Sequence, residues 1–350
     1  MNCCIECFES PYLKDIINRN KAAGDCSYCG ALGVNTYNPR ELSLIFNNIL
    51  DLYVIDNEKG CPIEEALDLD FQNKIFSAKV AEKRKELLNG IVADDLIRYG
   101  NYFENKMSLR YLSEEEHLIP VASLESNWSA FDNEIRQINR FHLQNTLDLN
   151  TLKSLLSQYE KPITKGKVYY RGRISGPEGF QKDDMYNPPA SKTKAGRANP
   201  TGISYLYISD KLKTTLYETR ASLYDYVTIG EFRLKDNITV INLRGNDYDP
   251  VLLAENEKLE DYLKYKPFIK RLESELSKPI RKDDKELDYI PTQYLCEFIK
   301  SLEYDGVEYK SSLCDDGYNL AIFNPELFDC TNVNIHTINR VEFNYKPVNE

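Results

Sequence analysis

Four cysteines near the N-terminus form two pairs that could bind one metal ion. Two residues separate Cys4 from Cys7 and Cys26 from Cys29, and 18 residues lie between the pairs. Each pair can direct two thiolates to one ion from a tight turn, and four sulfurs suit tetrahedral Zn²⁺ with no open position. Gly30 follows Cys29 and suits a turn whose N–H groups point at the sulfur. The pattern predicts a structural zinc site, with buried or redox cysteines as the alternative.

Cys3 leaves the ligand set ambiguous, because it could replace Cys4, although the two-residue spacing favours Cys4. The remaining cysteines stand alone in the sequence and match no known nucleophile motif. We interpret them as small buried apolar residues. They are Cys61, Cys296, Cys314 and Cys330.

The stretch from residue 168 to residue 325 offers carboxylates, arginines, tyrosines and serines for chemistry, but no histidine. His117, His142 and His336 all lie outside it, which argues against Ser-His-Asp, Cys-His and His-metal mechanisms there. Neither a Gly-x-Gly-x-x-Gly motif after a strand nor a Gly-x4-Gly-Lys-Ser/Thr motif occurs. Any anion bound by this stretch must therefore be held by arginine.

Three arginines are candidates for that role. Arg171 and Arg173 alternate on a predicted strand, so both face the same side and could point into a shared cleft. Arg197 lies in a following loop rich in Gly, Pro and Asn. Exposed strand charges are the alternative interpretation of Arg171 and Arg173.

The elements that must position these residues change in character near residue 161. Before it, apolar residues recur at helical spacing, and Asn38-Pro39 predicts the start of one helix. Residues 161–167 predict a linker. Beyond it, strand patterns dominate and a long loop covers residues 175–202. The predicted helices cover residues 76–88, 94–99, 123–145, 151–159, 210–223, 259–276 and 292–302, and the predicted strands cover residues 168–173, 203–208, 226–234, 238–243, 307–310, 320–323 and 341–345.

These patterns predict an α+β protein with two domains. We expect a four-Cys zinc module at residues 1–34, a helical N-terminal domain at 35–160, a linker at 161–167 and a mixed α+β domain at 168–350.

The overall composition limits partners and location. The chain has 350 residues, of which 42% are hydrophobic and 28% are charged, and its nine cysteines are an odd number. No segment approaches the roughly 20 apolar residues of a membrane span, and the N-terminus lacks a secretory signal. A net charge of −11 argues against broad binding of nucleic acid. We expect a soluble cytoplasmic protein with no membrane or nucleic-acid partner.

Several segments occur in an order that resembles the RES domain family, which is named for an Arg, a Glu and a Ser. These segments are Tyr170-Arg171, residues 196–202, Leu206-Tyr-Ile-Ser209, Leu216-Tyr-Glu218, Asp305-Gly-Val-Glu-Tyr-Lys-Ser311 and Asn319-Leu-Ala-Ile-Phe323. The paired cysteines and the helices after them also resemble the small domain that precedes RES domains in some bacterial proteins.

The resemblance implies a fold related to ADP-ribosyltransferase toxins and an enzyme that degrades NAD⁺ by hydrolysis or phosphorolysis. It implies a toxin or defence effector, with an antitoxin or immunity protein as partner and a homodimer as a further expectation. Carried over by position, it implies that Arg171, Arg197, Asn199 and Tyr207 bind NAD⁺. It also implies three catalytic residues: Tyr207 as the ring beside nicotinamide, Glu218 as the acidic residue and Ser311 as the serine.

The chemistry of this cleavage agrees with the residues available. Breaking an N-glycosidic bond builds positive charge on the ribose, which a fixed carboxylate such as Glu218 can stabilise. Nicotinamide leaves as a neutral molecule and needs no general acid, so the lack of histidine is no obstacle.

Three alternatives remain. The pocket could transfer ADP-ribose to a macromolecule, or bind NAD⁺ as a noncatalytic sensor. A ribonuclease is the third, because Arg136 and His142 match an Arg-x4-6-His pattern. Six residues along a helix rotate by about 240°, so these two side chains would not share a face, which argues against it.

Overall fold

The structure is a computed structural model that describes residues 1–110, 115–244, 248–278 and 286–342, without the side chains of 115–123. The chain divides into two compact units. The first comprises Met1–Ser123 and Asn246–Lys266, and the second comprises Leu124–Gly245 and Pro267–Glu350. Helices and sheets both contribute, so the predicted α+β fold is confirmed.

The helices and strands of the described residues are numbered here in chain order. The helices are α1 (Pro11–Asn20), α2 (Ser43–Leu50), α3 (Ile63–Phe71), α4 (Arg84–Ile91), α5 (Leu96–Tyr99), α6 (Glu115–Gln137), α7 (Leu149–Leu156), α8 (Leu212–Thr219), α9 (Pro250–Glu255), α10 (Leu259–Ser277) and α11 (Ile290–Ser301). The strands are β1 (Cys3–Cys4), β2 (Ala22–Gly24), β3 (Val34–Tyr37), β4 (Tyr53–Ile55), β5 (Met107–Leu109), β6 (Glu160–Ile163), β7 (Val168–Ser175), β8 (Leu206–Ser209), β9 (Tyr226–Leu234), β10 (Ile238–Asn242), β11 (Gly306–Lys310), β12 (Tyr318–Ile322) and β13 (Phe328–Thr337).

The first unit is mainly helical and contains two small antiparallel sheets, β1-β3-β2 and β4-β5. Asp249 joins two of its helices. Its carboxylate accepts hydrogen bonds from the hydroxyl of Ser10, the N-cap of α1, and from the backbone N–H of Val251 in α9. Such caps satisfy N–H groups that a helix leaves unpaired at its start.

The segment from 246 to 266 belongs to this first unit, whereas the predicted boundaries assign it to the domain at 168–350. Val251 and Leu263 lie in the core of the first unit. The hydrogen bond between Ser10 and Asp249 joins residues 239 positions apart. Local patterns in the sequence cannot reveal such a return of the chain.

The second unit is built on an eight-stranded sheet with the order β13-β9-β7-β8-β12-β11-β10-β6. Neighbouring strands are antiparallel except β10 and β11, which are parallel. Tyr169, Phe232 and Phe328 belong to an apolar cluster of strand and loop residues. A separate aromatic cluster joins Trp128 and Phe131 of α6 to other helices of this unit.

The sheet opens between β7 and β8. β7 pairs with β9 along its whole length, from Val168 to Ser175, but it pairs with β8 only through Tyr170 and Ser209. Beyond Tyr170 the two strands diverge. The resulting gap between them is where a ligand could reach the middle of the sheet.

Two strands at the sheet edges differ from the sequence prediction. β6 occupies part of the predicted linker at 161–167 and pairs with β10, with Ile163 opposite Ile238. Pro162 argued against a strand at this position in the sequence. Proline has no backbone N–H group to donate, so it is tolerated on an edge strand, where one side of the backbone has no neighbouring strand. β13, at the other edge, was not predicted, because its many polar residues obscure the alternation of apolar and polar side chains that indicates a strand.

The helix predicted at 123–145 ends earlier, at Gln137 in α6. The carboxylate of Glu134 accepts hydrogen bonds from the backbone N–H groups of Gln144 and Asn145, which turns the chain back. Helices α1 and α3 were not predicted. Of the predicted strand at 341–345, residues 343–345 lie outside the described residues. In the part of the chain that the structure describes, no helix is long and apolar enough to cross a membrane.

Candidate active site and metal centre

The two cysteine pairs meet in the first unit. One sulfur each from Cys4, Cys7, Cys26 and Cys29 lies within 4.8 Å of the others. The Cys4 and Cys29 sulfurs are 3.5 Å apart, and those of Cys7 and Cys26 are 3.4 Å apart. Gly30 has a φ of +76°, the left-handed conformation that glycine adopts readily. The four sulfurs form a cluster that could bind a metal ion.

Cys3 lies outside this cluster, which resolves the ambiguity left by the sequence. Its thiol donates to the carbonyl oxygen of Tyr37 at 3.3 Å. Successive side chains of a strand point to opposite faces, so Cys3 and Cys4 of β1 diverge. Burial, followed by the hydrogen bond with Cys29, raises the pKa of Cys4 to about 12. Without a cation the Cys4 sulfur therefore stays a neutral thiol, and a bound metal ion would be needed to hold it as a thiolate.

A cavity of about 350 Å³ opens where β7 and β8 diverge in the second unit. Residues of β7, β8, β11, β12, α8 and the loop before β8 line it. They are Tyr170, Arg171, Gly172, Gly196, Arg197, Tyr207, Ile208, Ser209, Thr215, Glu218, Thr219, Arg220, Tyr309 and Asn319. The lining brings together Arg171, Arg197, Tyr207 and Glu218, which are distant in sequence.

A larger cavity, of about 630 Å³, lies in the first unit, but its charged groups are already paired. Arg84 forms an ion pair with Asp68, and Asp249 caps two helices. We therefore place the chemistry in the smaller cavity, whose arginines form no ion pair with any residue that the structure describes.

Arg171 spans the gap between the diverging strands. Its Nη1 donates to the carbonyl oxygen of Tyr207 at 3.0 Å, while its buried Nε has no hydrogen-bond partner within the described ranges. Among the described residues it forms no ion pair. Burial, and then the nearby charge of Arg173, lower the pKa of Arg171 to about 10. A buried guanidinium with a free donor is suited to binding an anion.

The two strand arginines do not share the cavity, although alternation allowed that. Arg173 donates to the backbone carbonyl oxygen of Asp184, and its guanidinium carbon lies 4.1 Å from the centre of the Phe180 ring. Only Arg171 of the pair lines the cavity.

Arg197 and Arg220 complete a positively charged lining. Nη1 of Arg197 donates to the carbonyl oxygen of Leu276 at 2.7 Å. Arg220 follows α8 with a φ of 53°, held by a hydrogen bond from its N–H to the carbonyl of Tyr217. Glu218 is the one carboxylate among the described lining residues. A chain of net charge −11 thus surrounds this cavity with three arginines.

Glu218 is held in place by neutral donors. The hydroxyl of Ser311 donates to its Oε1 at 2.6 Å, and Nδ2 of Asn319 donates to the same oxygen at 2.8 Å. Ser209 in turn donates to Oδ1 of Asn319 at 2.7 Å. The carboxylate therefore reaches the cavity from α8 while it is anchored to Asn319 of β12 and to Ser311, which directly follows β11.

Tyr207 connects the cavity wall to the loop at 196–199. Its hydroxyl donates to Oδ1 of Asn199 at 2.7 Å and accepts from the N–H of Ala198 at 3.2 Å. Burial raises the pKa of Tyr207 well above its ordinary value, so the phenol is neutral. Its ring lines the cavity while its hydroxyl holds the loop.

Asn199 lies behind the cavity wall. It is 3% exposed, and its Nδ2 donates to the carbonyl oxygens of Lys194, Pro200 and Ile203. Its amide thus fixes the shape of the loop and is absent from the cavity lining. The expected contact of Asn199 with NAD⁺ has no geometric support here.

Ten of the fourteen lining residues were not singled out as site residues from the sequence, and four of these are Ser209, Arg220, Tyr309 and Asn319. Three of these four lie inside segments that carried the family resemblance, and Arg220 follows Glu218 by two positions, so proximity to those segments was the available signal.

The arginine and histidine of the ribonuclease alternative do not form a site. Arg136 forms ion pairs with the carboxylates of Asp132, Glu275 and Asp288. His142 lies beyond the end of α6 and is exposed. The pairing of Arg136 is structural.

The comparisons with known proteins concern mainly the second unit. Residues 172–344 match the RES domain family. No curated protein matches the chain. Among solved structures, a chain of the crystal structure of the M. tuberculosis MbcT-MbcA toxin-antitoxin complex is similar, at 14% identity and a TM-score of 0.31. The alignment covers 53% of this chain and 92% of that chain.

We predict that Gly172→Ala destabilises the second unit. A Cβ atom at Gly172 would lie 2.6 Å from Cγ2 of Thr219 and 2.9 Å from Cγ2 of Thr215, so α8 could not pack as closely on β7. Overpacking of this kind costs about 1–3 kcal/mol, which thermal unfolding would detect as a lower Tm. Gly176→Ala is the matched control, because nothing lies within 4 Å of its Cβ position. Equal Tm values for the two variants would contradict this packing.

Proposed function

This chain carries a RES domain over residues 172–344, and we propose that this domain breaks the bond between nicotinamide and ribose in NAD⁺. The cavity between β7 and β8 supports the proposal most directly. It combines arginines that have no carboxylate partner among the described residues with one carboxylate held by neutral donors. This pattern suits a ligand that is anionic at its diphosphate and becomes cationic at the reacting sugar.

In the proposed complex, Arg171 and Arg197 hold the diphosphate. Each already donates one hydrogen bond to a backbone carbonyl, which fixes the direction of its guanidinium. The free Nε of Arg171 is available to a phosphate oxygen, and a planar guanidinium can offer two parallel donors. The ring of Tyr207 covers one side of the nicotinamide end and excludes water from it.

Glu218 acts on the bond that breaks. As the C1′–N bond opens, its electron pair moves to nicotinamide, which leaves neutral, and positive charge develops on the ribose. The carboxylate of Glu218 stabilises that charge, and the interaction strengthens as the charge grows. An oxygen of water or of phosphate then bonds to C1′, giving ADP-ribose with release of a proton, or ADP-ribose phosphate.

We place this activity in a bacterial toxin or defence effector that acts in the cytoplasm. The support is the family resemblance and the chemistry, because loss of NAD⁺ stops growth. An antitoxin or immunity protein that silences the enzyme is the partner such an activity requires.

We also propose that the ion bound by the four cysteines is Zn²⁺. Four sulfurs suit its tetrahedral preference and leave no position for substrate, so the ion stabilises the first unit and has no part in catalysis.

We predict that Glu218→Gln nearly abolishes turnover while it leaves NAD⁺ binding intact. The change keeps the volume but removes the negative charge, so the rate of NAD⁺ loss should fall by about two to three orders of magnitude. Nicotinamide release measures the rate and calorimetry measures the affinity. Glu178→Gln, at an exposed loop position, is the control. Full activity in a folded Glu218→Gln protein would show that Glu218 is structural.

Arg171→Ala and Arg197→Ala should each weaken NAD⁺ binding. Loss of one hydrogen bond to a charged group costs about 1.5–3 kcal/mol. Calorimetric titration in the Glu218→Gln background measures the affinity without turnover. Arg233→Ala, on the exposed side of β9, is the control and should bind normally. Unchanged affinity in both cavity variants would place the diphosphate elsewhere.

Metal analysis should find one Zn²⁺ per chain, and the double change Cys26→Ser, Cys29→Ser should abolish it. The first unit should then unfold at a lower temperature, because metal binding and folding are coupled in such modules. Cys3→Ser should retain its zinc, since that sulfur lies outside the cluster. The proposal fails if the double variant keeps a full complement of zinc.

A further inference from the structure

Glu218 makes its hydrogen bonds through one oxygen only. Oε1 accepts from Ser311 and from Asn319, whereas Oε2 accepts from no residue that the structure describes. We propose that Ser311 and Asn319 are positioning residues that fix Glu218 so that Oε2 faces the reacting ribose. This inference rests on the proposed function, and it changes the catalytic role that the family resemblance implied for Ser311.

The hydroxyl of Ser311 is fully occupied. Its oxygen accepts from the N–H groups of Leu313 at 3.2 Å and Cys314 at 3.1 Å, and its one proton goes to Glu218. A hydroxyl has one donor and two acceptor positions, so none is left to attack C1′ or to take a proton. Ser311 is also only 3% exposed. These bonds exclude it as nucleophile in this arrangement and direct its proton at the carboxylate.

Asn319 supplies the second donor from a rigid position. It lies opposite Ser209 in the register of β12 and β8, so the two side chains are neighbours on one face of the sheet. Ser209 donates to Oδ1 of Asn319, which leaves Nδ2 to face Glu218. The carboxylate of Glu218 can only accept hydrogen bonds, so it needs the Nδ2 donor of Asn319. This amide orientation also leaves Oδ1 to accept from Ser209, and it therefore satisfies both contacts.

These donors tie α8 to the far side of the sheet opening. α8 packs on β7, where the hydroxyl of Thr215 donates to the carbonyl of Tyr170 at 3.3 Å. The bonds from Ser311 and Asn319 come from the β8-β12-β11 side. The carboxylate of Glu218 is therefore fixed between the two sides of the sheet opening and cannot rotate into solvent.

The test measures kcat and KM of NAD⁺ cleavage in Ser311→Ala and Asn319→Ala, with Ser312→Ala as the neighbouring control. Each positioning variant should keep its KM and lose about tenfold to hundredfold in kcat, the effect of one lost hydrogen bond to a charged group. Ser311→Thr, which keeps the hydroxyl, should restore kcat.

Two results would overturn the assignment. One is an inactive Ser311→Ala beside an active Asn319→Ala, with an ADP-ribosyl adduct on Ser311 in the intact mass of the wild-type protein, which would make Ser311 a nucleophile. The other is a kcat that stays at the wild-type value in both variants. If the wild-type protein cleaves no NAD⁺, the proposed function fails by itself. The positioning claim is then tested by carbon NMR, in which the chemical shift of the Glu218 carboxyl should change in Ser311→Ala and Asn319→Ala but not in Ser312→Ala.

Discussion

Strands β7 and β8 pair at one position, Tyr170 with Ser209, and then diverge, and the candidate site depends on that separation. A continuous ladder would close the sheet and bury Arg171 against Tyr207 with no room for a ligand. In place of the missing ladder, Nη1 of Arg171 donates to the carbonyl oxygen of Tyr207 across the gap. The bond satisfies a carbonyl that strand pairing would otherwise occupy. The arginine thus links the two strands across the opening, and in the proposed complex it also binds the diphosphate.

The cavity lining carries an excess of positive charge, although the protein as a whole is negatively charged. A chain of net charge −11 places three arginines around about 350 Å³, with Glu218 as the one described lining carboxylate. Carbonyl oxygens partner Arg171 and Arg197 without neutralising them, and hydroxyl and amide groups partner Glu218 in the same way. Because a direct Arg–Glu pair would cancel both charges, this separation keeps each available for a ligand.

The sequence allowed prediction of features that depend on local spacing or on a linear set of segments. The two Cys-x-x-Cys pairs identified the four clustered sulfurs, and the ordered segments identified Arg171, Arg197, Tyr207 and Glu218. The sequence could not reveal which side chains form hydrogen bonds with each other. Asn199 holds a loop, and Ser311 turns its proton to Glu218, because of contacts between residues far apart in the chain. The edge strand β6 and the return of residues 246–266 to the first unit depend on similar long-range contacts.

We propose above all that this protein breaks the nicotinamide bond of NAD⁺. Incubation of the purified protein with NAD⁺, with and without inorganic phosphate, followed by mass spectrometry of the products, tests this most directly. We expect NAD⁺ to disappear and nicotinamide to form in equal amount with ADP-ribose or with ADP-ribose phosphate. NAD⁺ that stays intact in the presence of folded protein that binds it would contradict the proposed function.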